Sequence, residues 1–124
     1  VKVFAAEVET AAPLARSLIA GRPTAIEYTA SFVDGIGGRG VLEEMWPLAS
    51  SLLDGSIVVT LREVAEALRL TLERAHVLAE GAGAAAVAAG LRVAGKFPHV
   101  ACVVSGGNID QARVATILNG AIPS

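Results

Sequence analysis

Apolar and polar positions change their spacing several times along this chain, and each change predicts an element. The run VKVFAAEV predicts a strand over 2–8. Thr10 follows as the cap of a helix over roughly 11–20 that ends at Gly21. GRPTAIEYTASFVDGIGGRG, punctuated by Pro23 and five glycines, reads as loop. A short helix is best started at Pro47, because proline is tolerated in a first turn and not in a helix interior. SIVVT then reads as a short buried strand. Thr60-Leu61-Arg62-Glu63 is a capping box, and Leu61, Val64, Ala65, Leu68, Leu72 and Ala75 hold one face of a helix running to about residue 79. GAGAAAVAAGLRVAG is a helix of small residues ending at Gly95, HVACVV a strand apolar on both faces, and a last helix follows Asp110 to Leu118.

Strands and helices therefore alternate, which predicts an α/β fold with a mainly parallel sheet flanked by helices. The 124 residues make one domain's worth of chain, read here as a single unit over 1–124. Composition narrows the picture. Hydrophobic residues are 53% and aromatics only 4%, so the core is built from Ala, Val, Leu and Ile. Charged residues are 18%, below the usual quarter, which fits either a largely buried chain or one whose partner is missing. A net charge of −2 offers nucleic acid or an anionic membrane no electrostatic footing. No apolar run is long enough to span a bilayer, and the lone Cys102 excludes an internal disulfide and suits a reducing, cytoplasmic setting. The chain opens at Val1 inside a strand-like run, so a fragment of a longer protein is expected. Such a fragment leaves sheet edge and apolar surface uncovered and is expected to self-associate, most simply as a two-fold dimer.

Candidate chemistry gathers at VVSGGNID. One glycine suffices for a turn, whereas Ser105, Gly106, Gly107 and Asn108 set a hydroxyl, bare backbone and an amide at a strand's carboxyl end, where open α/β sheets hold ligands. Glu80 precedes the small-residue helix and is either a cap or an acid facing the same crevice. GIGGRG, Gly35 to Gly40, matches the dinucleotide fingerprint, with Asp54 as ribose ligand, but only if a strand precedes it and a helix follows. Its other reading is a glycine loop that brings backbone close to something. Cys102 reads as a buried small hydrophobe, His76 and His99 as surface or capping residues, and Trp46 as a packing anchor. Glu7 and Glu9 end the first strand as a solvated pair or a cation site. No nucleophile–base pair is visible, which leaves the chemistry to a cofactor.

In order, AAEVETAAPLARSLIAGRPT, FVDGIG, VTLREVAEALRLTLERAHVLAEGAGAAAVAAG and VVSGGNID resemble the carboxyl-terminal part of the fold-type II (tryptophan synthase beta-like) pyridoxal phosphate enzymes. The branch is that of threonine/serine dehydratase and serine racemase. The resemblance covers nearly the whole chain and implies pyridoxal 5'-phosphate as cofactor, a small amino acid as substrate, and a homo-oligomeric parent. It matches Ser105 to the serine that meets the pyridine nitrogen, Gly106, Gly107 and Asn108 to the turn beneath the ring, Gly35 to the glycine beside it, and Glu80 to the site glutamate. For a cation it matches Glu7 and the Ala11 carbonyl, while Pro13 stands where serine racemase has an aspartate, which favours the dehydratase branch. The family's Schiff-base lysine, in an S-F-K context, and its glycine-rich phosphate loop have no counterpart here. Lys2 and Lys96 are the only lysines and lack that context. The implied activity of the parent is deamination of L-threonine or L-serine, with a racemase or hydroxyaspartate dehydratase as nearest enzymatic neighbour. A non-catalytic α/β module that binds a nucleotide or partner is the alternative from another class.

Overall fold

The computed structural model describes all 124 residues. In chain order it contains β1 (Phe4–Val8), α1 (Pro13–Ala20), α2 (Trp46–Leu52), β2 (Gly55–Val59), α3 (Leu61–Leu70) continued by a π turn (Thr71–Ala75), α4 (Gly81–Arg92) and α5 (Gln111–Leu118). The two strands pair in parallel from Phe4 with Gly55 to Val8 with Val59. The expected parallel α/β arrangement is therefore present, with a two-stranded sheet at its centre.

The core lies where α3 and α4 pack on the strands. Val8 and Val59 meet Val64, Ala67 and Leu68 of α3 and Ala84, Ala85 and Ala88 of α4, all buried, with Phe32, Val33 and Ile117 closing the cluster. Only 23 of 124 residues are buried, so most of the chain's apolar content lies outside this core. No helix is long and apolar enough to cross a membrane.

Carboxylates fasten the element ends. Glu7 of β1, 7% exposed, accepts N–H groups from Leu14 (2.8 Å) and Ala15 (2.7 Å) and the Ser56 hydroxyl (2.6 Å). It thus caps α1 from a neighbouring strand, satisfying two of the donors a helix start leaves unpaired. Thr10, the expected cap, instead meets Ser31, and α1 begins after Ala12 and closes at a left-handed Gly21. Asp54 accepts from Lys2 Nζ (2.7 Å) and Val3 N–H (2.8 Å), bonds that hold its carboxyl below the usual range and tie it to the start of β1 rather than to a ribose.

The capping box forms as expected. Thr60 accepts from the Glu63 N–H, and Glu63 accepts from the Thr60 N–H at 2.7 Å. Arg92, at the end of α4, binds both oxygens of Glu63 and the Val58 carbonyl, so one guanidinium joins α3, α4 and β2. The helix opened by the box stops earlier than the periodicity suggests. The Thr71 hydroxyl bonds back to the Ala67 carbonyl at 2.7 Å, the ladder widens to a π turn, and His76 ends it in the left-handed region at φ 56°. Residues 77–80 are then free to reach the site as extended chain.

HVACVV departs from expectation most. It lies in no ladder, and residues 98–105 make no hydrogen bond. Its side chains lean on the glycines of α4 instead: Val104 is 3.3 Å from where a Cβ on Gly83 would lie, and Cys102 presses on Gly90. Cys102 is exposed rather than buried. An apolar run forms a strand only where a neighbouring backbone lies within pairing distance, and here none does.

A pH test follows from the Arg92 clamp. Arg92 first, then the Thr60 backbone N–H, hold the Glu63 carboxyl at about 2 against an ordinary 4.5. Because the folded value is depressed, the stabilisation is complete above pH 4.5 and is lost as pH falls toward 2. The pair is partly solvated, so screening limits the effect to about 1 kcal/mol. Urea unfolding between about pH 6 and about pH 3 should show the native chain losing about that much more stability than Glu63→Gln.

Candidate functional site

The extended segment that follows His76 brings Glu80 to the start of α4, with its backbone N–H on the Gly106 carbonyl at 2.9 Å. Its side chain does not cap the helix. It enters a narrow gap between two glycines from distant parts of the chain. A Cβ on Gly35 would lie 3.3 Å from Glu80 Oε1 and 2.9 Å from the Ala82 Cβ. A Cβ on Gly106 would lie 2.6 Å from the same oxygen. Among the carboxylates that are not exposed, Glu7, Glu63 and Glu80, only Glu80 has no hydrogen-bond partner.

The small residues at the start of α4 make this convergence possible. Gly81 lets the buried Phe32-Val33 backbone lie against the helix, since a Cβ there would stand 3.0 Å from Val33 Cα. Gly83 admits the Gly106 carbonyl in the same way, at 3.0 Å. Gly107 in turn sits so close to the chain before Glu80 that a Cβ would be 2.6 Å from the Leu78 carbonyl oxygen. The outcome is a cradle with Glu80 at its base, Gly35 on one side, and Ser105-Gly106-Gly107-Asn108 on the other. Ser105 and Asn108 are exposed at its rim.

Of the residues singled out from sequence, Gly35, Glu80 and the 105–108 turn are therefore brought together, and Glu7 and Ala11 are not. Glu7 is engaged with α1 and Ser56, and the Ala11 carbonyl is covered by the glycine loop. Gly37, at φ 82°, is where that loop touches: a Cβ would lie 2.6 Å from the Ala11 Cβ and 2.9 Å from its carbonyl oxygen. The dinucleotide context is missing. No strand precedes Gly35, and the next helix begins only at Trp46. Sequence reasoning missed Arg113 of α5, which reaches Asp34 beside Gly35 at 3.2 Å and so ties the loop of Gly35 to the helix that follows residues 105–108. Opposite charge on a helix and a distant loop carries no sequence signal.

Bare backbone on both sides, and a hydroxyl and an amide at the rim, are the groups that a planar ring with a polar edge would meet here. The two glycines of the turn should respond differently to alanine. Gly107→Ala pushes a methyl group into a fixed carbonyl and should cost about 1–3 kcal/mol in thermal or urea unfolding. Gly106→Ala meets only the end of the Glu80 side chain and should cost less than about 1 kcal/mol. Combining each with Glu80→Ala should abolish the cost of Gly106→Ala and leave that of Gly107→Ala unchanged.

Comparison with known proteins identifies the family. A family model described as "Pyridoxal-phosphate dependent enzyme" matches residues 1–106. An L-threonine ammonia-lyase of Thermotoga maritima is 38% identical over 120 residues, covering 96% of this chain and 30% of the relative. Among solved structures, a threonine deaminase of T.th. superposes with a TM-score of 0.81 at 32% identity, over 88% of this chain and 40% of that one. Serine racemase from Dictyostelium discoideum gives 0.76 at 31%, over 89% and 36%. The chain thus spans about 30% of the length of the curated relative it matches. With both walls of the cradle inside or adjoining the matched region, the chain belongs to the pyridoxal-phosphate dependent enzyme family.

Proposed function

We propose that this chain is one part of a longer lyase that converts L-threonine or L-serine to the 2-oxo acid and ammonia. The observation that carries the reading is the convergence of Gly35, Glu80 and the Ser105–Asn108 turn on one cradle. Support for the substrate class comes from the L-threonine ammonia-lyase relative at 38% identity. A racemase acting on a small amino acid is the second reading, favoured by the serine racemase likeness at 31% identity.

When bound, pyridoxal phosphate supplies a delocalised sink for the electron pair left at the substrate's α-carbon. The residues of this chain would do the following. Gly35, Gly106 and Gly107 admit the ring by offering backbone without side chains. The Ser105 hydroxyl hydrogen-bonds the pyridine nitrogen as a neutral partner, which leaves the sink milder than a carboxylate would and suits loss of a β-hydroxyl. Glu80 places a carboxylate beside the ring and Asn108 an amide at its edge. For threonine the reaction balances without an oxidant or reductant. Water is lost across the α- and β-carbons and regained on hydrolysis, so the products are 2-oxobutyrate and ammonia.

The lysine that binds the cofactor belongs to the rest of the polypeptide. Lys2 is paired with Asp54 at 2.7 Å, and Lys96 is exposed in the turn after α4. Neither is desolvated, as a carbonyl-binding lysine must be. The isolated chain mixed with pyridoxal phosphate, reduced with borohydride and weighed by mass spectrometry should carry no stoichiometric adduct on a single lysine, and it should release no 2-oxobutyrate from threonine. The full-length gene product should do both. In that product Ser105→Ala should keep cofactor binding and lower kcat by roughly 10²-fold. A full-length product that interconverts L- and D-serine without releasing a 2-oxo acid would select the racemase reading.

A further inference from the structure

The likeness that implies a cofactor for this chain also implies a cation, held by Glu7, the Ala11 carbonyl and an acid where Pro13 stands. The groups present do not fit one. Glu7 is 7% exposed, and its carboxylate is ringed by donors. Oε1 accepts the Leu14 N–H, while Oε2 accepts both the Ala15 N–H and the Ser56 hydroxyl. Three of the carboxylate's four lone pairs are therefore used, and its charge already faces the positive end of a helix. The Ala11 carbonyl accepts no N–H, but Gly37 lies on it, and Ala11 is 1% exposed. Pro13, buried in the first turn of α1, sets a hydrocarbon ring at the third position. Nowhere in the chain do three His, Cys, Asp or Glu side chains converge. Magnesium and calcium each take about six oxygen ligands or more, which one committed carboxylate and one covered carbonyl cannot begin to supply.

The helix, in turn, depends on that carboxylate. α1 has no side-chain cap of its own and no acid in its first turn. Pro13 has no N–H, so Leu14 and Ala15 carry the first two donors of the helix, and Glu7 takes both. A cation could enter only by leaving those donors unpaired. The residues between Glu7 and α1 also form the ledge on which the loop of Gly35 rests. The Thr10 carbonyl accepts the Thr29 N–H at 3.0 Å, the Thr10 and Ser31 hydroxyls meet at 3.3 Å, and Gly37 sits against Ala11. We propose that the amino end of α1 replaces the cation. Glu7 is then a positioning residue that fixes this ledge, and with it the Gly35 loop, by hydrogen bonds alone, and the site takes no metal. The proposal rests on family membership and not on the substrate.

The full-length gene product, passed over a chelating resin and kept free of amino acid, tests it. Its Tm should move by less than about 1 °C with millimolar Mg²⁺, Ca²⁺ or Mn²⁺, or when K⁺ replaces tetramethylammonium, because only a bound ligand stabilises. Glu7→Gln turns one acceptor into a donor that faces an N–H. It should lower Tm by several degrees and speed amide exchange at Leu14, Ala15 and Thr29 roughly 10-fold or more, while α3 and α4 stay protected. No cation should reverse either effect. Crystals soaked in Mn²⁺ or Tl⁺ should show no anomalous peak beside Glu7, a measurement that stands even if Glu7→Gln fails to fold. Such a peak would overturn the proposal, as would a saturable rise in Tm that Glu7→Gln abolishes. Unchanged exchange at Thr29 in a folded Glu7→Gln protein would also overturn it. Failure to deaminate threonine with the expected cation and exchange results intact would sink the lyase reading alone.

Discussion

The arrangement depends on how little side chain α4 carries. Gly81, Ala82 and Gly83 face two other stretches of backbone, Phe32-Val33-Asp34-Gly35 and Val104-Ser105-Gly106, at distances that leave no room for an added carbon. Larger residues would hold these stretches several ångströms away. The core would lose Phe32 and Val33, and the Gly106 carbonyl could not accept the Glu80 N–H. A helix so rich in Gly and Ala gains little from side-chain burial, and each interior glycine costs it about 0.5–1 kcal/mol relative to alanine. Close approach of neighbouring backbone is what such a helix offers in return.

Charge is used in a complementary way. Glu7 caps α1, Asp54 fastens the start of β1, and Glu63 shares a guanidinium with two helices and a strand. Each lies at an element end where unpaired N–H groups or a cation await it, and each is thereby committed to structure. Glu80 stands apart. It has the same chemistry and a position at a helix start, yet its side chain leaves the helix donors alone and enters the gap between Gly35 and Gly106. That carboxylate is held beside bare backbone without a donor of its own.

The same economy explains the unfilled side of the molecule. A chain that is 53% hydrophobic buries only 23 residues, and the surplus gathers beside β1 and along α2 and the turn before it, where Leu42, Met45, Leu48 and Leu52 are all exposed. The open edge of β1 and the unpaired 98–105 segment face each other across one of these surfaces. The fold is therefore open on this side, while the α3–α4 core and the cradle are already formed.

Local pattern alone determined a good deal. The capping box at Thr60, the left-handed close of α1 at Gly21 and the start of α2 around Pro47 each follow from the chemistry of a few adjacent residues, and each stands in the structure. The Ser105–Asn108 run and its likeness to a known family were legible because hydroxyl, glycine and amide fall in one short stretch. Tertiary structure alone decided the rest. Glu7 reads as a loop carboxylate or cation ligand until α1 is seen to start above it, and Thr71 gives no sign that it will widen its helix and release the chain toward Glu80. HVACVV has the composition of a buried strand, yet it pairs with nothing here. Composition states what a segment can do next to a suitable neighbour, whereas hydrogen bonds form only with a neighbour that is present.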